Sequence, residues 1–105
     1  GDHFLNKIFS PAEQAYCREK AAPAPHLAAR FAAKEAVSKA FGTGFGKEFG
    51  WLDAEVENGD QGQPLLRFSE KGRALLEKKG ASEALVSLTH LESIASAIVV
   101  LVSSP

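Results

Sequence analysis

The sequence has little cysteine, no marked excess of either charge and no long apolar run, and each shortage removes a class of protein. Cys17 is alone, so no intramolecular disulfide can form, and no CxxC or Cys/His cluster suggests zinc. A reducing cytoplasm is the expected setting. Twelve basic side chains face thirteen acidic ones for a formal net charge of -1, which supplies no overall positive field to draw nucleic acid. Any anion site must then be local. The longest run of large apolar residues, Ile98 to Val102, falls far short of the roughly 20 needed to cross a bilayer, and nothing at the front resembles a signal peptide. No membrane partner is expected, and there is no internal repeat or low-complexity tract.

What is present is an ordinary globular composition, 45% hydrophobic and 24% charged, in 105 residues. That length implies one domain over 1–105, near the small end of what buries a core by itself, so oligomerisation would help. The strongest element is the stretch Arg30 to Gly44. Alanines 28, 29, 32, 33, 36 and 40 with Val37 and Phe41 recur at three- and four-residue spacing, which predicts a helix with a wide apolar stripe. Gly42 ends it as a left-handed C-terminal residue. Along another stripe lie Phe31, Glu35, Ser38, Lys39 and Gly42. The Glu35–Lys39 spacing fits a solvent-exposed ion pair, an abundant arrangement; it also fits a carboxylate for a hard cation beside a lysine for the phosphates that cation bridges. Spacing alone does not choose. Lys34, between these groups, reads as a solvated charge.

The remaining elements follow from local signals. Ser10-Pro11-Ala12-Glu13 is a capping box opening a short helix to about Arg18, with Phe9 as a staple. Ala21-Ala-Pro-Ala-Pro25 reads as a stiff connector between two helices. Gly42 to Gly46 is a flexible turn that lacks the lysine and hydroxyl of a phosphate loop. Trp51 to Glu57 alternates, with Leu52, Ala54 and Val56 inward and an acidic solvated face outward; Asn58 to Gly62 turns it back into a strand over Pro64 to Phe68. Ser69 caps a helix from Glu70 to Lys79 that Gly80 ends. Ala84 to Thr89 and Ile94 to Val102 are strands, the second expected to be buried on both faces. The order ααββαββ implies an α+β fold, with an antiparallel sheet packed on the long helix.

Four blocks in order resemble the holo-acyl carrier protein synthases, the short 4'-phosphopantetheinyl transferases: Phe9-Ser-Pro-Ala-Glu-Gln-Ala-Tyr-Cys17, Arg30 to Gly44, Gly62-Gln-Pro64 and Val86-Ser-Leu-Thr-His90. The resemblance implies magnesium-dependent transfer of the phosphopantetheine arm of coenzyme A to a serine of apo-acyl carrier protein, releasing adenosine 3',5'-bisphosphate. It implies Glu35 as the metal-binding glutamate and Lys39 as the lysine beside the pyrophosphate. Arg30, Phe31, Ser38 and Gly42 match positions lining the coenzyme A cleft, Pro64 belongs to a loop bordering a neighbour's active site in a homotrimer, and His90 matches a phosphate contact. His3 and His26 match nothing and read as surface residues; Cys17 reads as small and buried. Family members begin with an apolar strand whose Gly-x-Asp supplies a second metal ligand, whereas Gly1-Asp2-His3-Phe4 aligns beyond that region and Asp2 is no replacement. The expectation is therefore a family domain incomplete at its N-terminus. Two rivals remain: a catalytically impaired coenzyme A or carrier-protein binding module of the same fold, and a structural domain in which Glu35 and Lys39 form a surface pair.

Overall fold

The computed structural model describes residues 1–90 and 94–103. Three helices come first, α1 (Asp2–Ile8), α2 (Pro11–Arg18) and α3 (Pro23–Phe41). A 3₁₀ turn (Trp51–Asp53) leads into a hairpin of β1 (Ala54–Asn58) and β2 (Pro64–Phe68). After α4 (Glu70–Lys78), β3 (Glu83–His90) and β4 (Ala95–Val102) form a second antiparallel hairpin. The α+β expectation stands, with the antiparallel sheet present as two two-stranded hairpins.

Helix α2 begins as the sequence predicts. Ser10 Oγ accepts from the Glu13 amide and Glu13 Oε1 accepts from the Ser10 amide, closing the capping box. The expected connector is shorter than predicted, because Pro23 and Pro25 already belong to the first turn of α3. Amides there have no intrahelical acceptor to lose, so proline costs little. At the other end Gly42 sits at φ 77°, the left-handed cap that stops the helix. Helix α1 carries no sequence signal of comparable strength: it is seven residues long and has no side-chain cap.

Burial on α3 departs from the alanine stripe. Ala29, Ala33, Val37 and Phe41 are buried, whereas Ala28 and Ala40 are exposed. Val37 and Phe41 meet Phe49, Ala54, Leu75, Leu76 and Ala81 in the apolar core. Beside them a polar row, Arg30, Lys34 and Ser38, also points inward, each 3% exposed or less. Lys34 is thus no solvated charge. Its Nζ lies 2.8 Å from Glu13 Oε1 and donates to the carbonyls of Trp51 at 2.8 Å and Ala54 at 2.9 Å. The other Glu13 oxygen accepts from the Val56 amide at 2.8 Å. Two buried charges are tolerated because every ammonium proton has an acceptor and both carboxylate oxygens have donors. One ion pair therefore joins α2, α3, the 3₁₀ turn and β1. Burial pushes the Lys34 ammonium below its ordinary value, with Glu13 pulling the other way.

The strand expected from Trp51 begins at Ala54 instead. Asp53 turns its carboxylate back to accept the Gly50 amide at 2.8 Å and the Ser69 hydroxyl at 2.7 Å, which closes a 3₁₀ turn and leaves Leu52 exposed. Asp53 is therefore a tie rather than part of a solvated acidic face. Gly72 permits α4 to approach it, since a Cβ there would stand 2.5 Å from the Asp53 carbonyl oxygen. In β3–β4 the register pairs Leu85 with Val100 and Ser87 with Ile98. Residues 97, 99 and 101 are half-buried, but Ile98 and Val100 are 68% and 52% exposed. The last strand is consequently not buried on both faces: one face packs toward α3 and the core, and the other is open and apolar, with Leu85 also 53% exposed.

Candidate active site

Two rows of α3, one residue apart, hold most of the candidate residues. The 3.6-residue repeat puts Arg30, Lys34 and Ser38 on one row and Phe31, Glu35 and Lys39 on the next, about 100° around the helix. The first row is buried; the second passes from half-buried Phe31 and Glu35 to exposed Lys39.

Phe31 stacks on Trp51 with ring centroids 5.0 Å apart, and Trp51 stacks in turn on Phe45 at 3.6 Å. The glycine turn delivers Phe45 to this stack, with Gly42 and Gly44 both in left-handed conformations. Phe31 thus serves packing while its edge lines a groove of about 390 Å³ with Phe4, Leu5, Leu27, Ala28 and Glu35. The i,i+4 ion pair between Glu35 and Lys39 is not formed: ion pairs among the described residues are Glu13–Lys34, Glu57–Arg67 and Asp53–Lys71. Ser38 differs from expectation. It is buried and its hydroxyl donates to the Glu35 carbonyl at 2.7 Å, a consequence of lying on the inward row.

Arg30, Pro64 and His90 meet elsewhere, in a cavity of about 300 Å³ that also includes Tyr16, His26, Asn58 and Ser87. Arg30 Nη2 donates to Asn58 Oδ1 at 2.7 Å, and its guanidinium carbon lies 4.4 Å from the Tyr16 ring centroid. His26, expected at the surface, is half-buried with its ring centroid 5.5 Å from that of His90. Burial, then the charges of His90, Arg30 and Lys20, holds the His26 imidazole below its ordinary pKa. Cys17 is buried as expected, and burial pushes its thiol up, away from nucleophilic use.

The structure therefore brings the expected residues together in two groups, Phe31 with Glu35 at the groove and Arg30, Pro64 and His90 at the cavity, while Lys39 and Gly42 stand at the end of α3. Tyr16, His26 and Asn58 escaped the sequence reading. For His26 a signal existed, since it precedes Arg30 by one helical turn and so shares its face.

The model for the 4'-phosphopantetheinyl transferase superfamily matches residues 1–98. The chain belongs to that superfamily. Within it, the holo-[acyl-carrier-protein] synthase of Syntrophus aciditrophicus is 48% identical over 98 residues, covering 93% of this chain and 77% of the relative. That of Chlamydia muridarum is 49% identical over 100 residues, with 95% and 77% covered. A solved holo-(acyl-carrier-protein) synthase from Bacillus anthracis, in complex with CoA (3',5'-ADP), superposes with a TM-score of 0.81 at 38% identity, covering 98% of this chain and 83% of that one. The four sequence blocks all fall within the residues that match the transferase family.

Proposed function

We propose that this single-domain chain moves the 4'-phosphopantetheine arm of coenzyme A onto a serine hydroxyl of apo-acyl carrier protein. In that reaction the serine oxygen forms a bond to the phosphorus bearing the pantetheine, the bond from that phosphorus to the bridging oxygen breaks, and adenosine 3',5'-bisphosphate leaves with the electron pair. The enzyme's task is alignment and charge neutralisation rather than covalent chemistry. The observation that carries the reading is the outward row of α3, where Glu35 and Lys39 stand one turn apart without an ion pair among the described residues.

Glu35 is the candidate ligand for Mg2+. No cluster of three His, Cys, Asp or Glu exists among the described residues. A magnesium ion nevertheless needs only one or two carboxylates, with substrate oxygens and water completing its shell, and the half-buried Glu35 carboxylate fits that donor set. When bound, the metal would supply charge neutralisation on the phosphate oxygens. Lys39 would hold the pyrophosphate and protonate the departing oxygen. Arg30, Pro64 and His90 would hold the nucleotide, with Phe31 and Gly42 shaping the cleft; a role there for Ser38 requires its hydroxyl to leave the Glu35 carbonyl.

Because the two groups face different sides of α3, we assign the complete cleft to an interface between copies, as a homotrimer would provide. The open apolar face of Leu85, Ile98 and Val100 supports such an assembly. Ile98→Lys should lower the oligomeric mass in solution and the transfer rate together; an unchanged mass would reject this face as the interface. No helix among the described residues is long and apolar enough to cross a membrane, and a cytoplasmic site of action accords with the chemistry.

The deciding experiment is the mass of apo-carrier protein after incubation with coenzyme A, with and without magnesium, using wild type and Glu35→Ala. A mass gain requiring both magnesium and Glu35 is expected. Coenzyme A binding with no mass gain would favour the impaired binding module, a reading supported by Glu35 being the one carboxylate on the groove among the described residues.

A further inference from the structure

The cavity beside Arg30 holds a second imidazole, His26, beyond the expected site residues Arg30 and His90. No carboxylate is found among the described residues that line it. Arg30 is 3% exposed; its Nη1 donates to the His26 carbonyl at 3.4 Å and its Nη2 to Asn58 Oδ1 at 2.7 Å. Its Nε is buried with no partner among the described residues. A buried donor without an acceptor is uncommon and costs free energy, and an oxygen-bearing ligand in the cavity would supply the acceptor.

The two imidazoles reach this space from different elements, His26 from the first turn of α3 and His90 from the end of β3, with centroids 5.5 Å apart and ring planes at 61°. Tyr16 of α2 meets His26 edge-on at 6.3 Å, and Lys20 Nζ lies 4.4 Å from the Tyr16 centroid. Among the described residues, the titratable and charged groups around His26 are therefore Tyr16 and Lys20 from α2 and its end, Arg30 from its own helix and His90 from β3.

We propose that His26 is a phosphate-binding residue of this cavity, acting with Arg30 and His90, and that it makes affinity for a phosphate-bearing nucleotide rise as the pH falls. The proposal rests on the function given above, which supplies coenzyme A as the ligand. In the free protein, burial and then the charges of His90, Arg30 and Lys20 favour the neutral form of the His26 ring. A bound phosphate reverses the sign of the local charge, so its presence favours the imidazolium and binding takes up a proton. Affinity should then climb as the pH falls through the bound-state pKa and level off below the free-state value.

The test is calorimetric titration of the full chain with adenosine 3',5'-bisphosphate, comparing wild type with His26→Gln at several pH values. The ratio of the two dissociation constants cancels the ligand's own titration. It should lie near one at about pH 8 and reach about fivefold to tenfold in favour of wild type at about pH 5.5. A ratio that stays constant with pH, or that changes equally with adenosine, which has no phosphate, overturns the proposal while leaving the transferase reading intact. Absence of bisphosphate binding by wild type at every pH overturns both. Should the glutamine variant fold poorly, the His26 ring-proton titration of wild type by NMR replaces it. Its midpoint should move upward when the bisphosphate is added, and an unmoved midpoint overturns the proposal.

Discussion

Lys34 and Glu35 are consecutive on α3, yet Lys34 is 1% exposed and lies 2.8 Å from Glu13, whereas Glu35 faces a groove and forms no ion pair with Lys39. The same two residue types thus serve opposite ends. The inward lysine and glutamate have no solvent, so each is worth having only while the other is present. Of the outward residues Lys39 is exposed and Glu35 half-buried at the groove, and with no ion pair between them both groups are able to meet an external charge. A step of one residue around the helix separates a fold tie from a candidate reaction site.

The largest effect should come from breaking the inward pair on one side only. Lys34→Ala or Glu13→Ala should remove about 3–5 kcal/mol in urea unfolding, much of the stability of a domain this size. Glu13→Leu combined with Lys34→Met should recover only part of it, because two apolar groups leave no stranded charge but still deprive the Val56 and Ser10 amides of their acceptor. A loss below about 1 kcal/mol in the single variants would mean that water reaches the pair.

Glu35→Ala and Lys39→Ala test the other side of the comparison. Each should change unfolding free energy by less than about 0.5 kcal/mol. Under the proposed function, Glu35→Ala should reduce carrier-protein modification on the order of a hundredfold or more. Loss of stability comparable to that of Lys34→Ala would erase the distinction between the rows.

Asp53 lies between these extremes, and pH separates it from them. Burial alone would raise its pKa, but the Ser69 hydroxyl, the Gly50 amide and the Lys71 ammonium outweigh burial and hold the carboxyl below its ordinary value. Its stabilising contribution is fully present above the unfolded-state pKa, near 3.8, and is lost as the pH falls through the depressed folded value. Asp53→Ala should cost about 0.5–2 kcal/mol at neutral pH, as loss of a cap does, and the difference from wild type should shrink in acid. A constant difference down to about pH 2 would show that the carboxylate charge is not what matters.

The smallest effect belongs to Glu57 and Arg67, paired at 3.0 Å on the exposed hairpin. A double-mutant cycle should return about 0.2–1 kcal/mol, falling further in molar salt. A larger coupling would show that exposure alone does not set what an ion pair contributes.

Much of the fold was legible because its signals are local. The Ser10 to Glu13 capping box, the Gly42 cap and the Ser69 cap each lie within four residues of what they satisfy, and all three occur where the sequence puts them. Strand β1 was legible only in part, because the Asp53 carboxylate that holds the preceding turn depends on Ser69 across the hairpin. The candidate site was legible as a set of residues through four ordered blocks, but not as an arrangement. Ser38 faces inward, His26 faces His90, and the groove and the cavity lie on different sides of α3.

The sequence by itself determined where α2 and α4 start, where α3 and α4 stop, the alternation along β1, and membership in a transferase family, since each depends on neighbouring residues or on ordered motifs. Tertiary structure decided which α3 row faces inward, that Glu13 serves both as cap and as counter-ion, and that one face of β3–β4 remains open. The physical reason is that burying a charge is favourable only when distant groups arrive to satisfy it. Lys34 has its partners in Glu13, Trp51 and Ala54, which only the folded chain brings together.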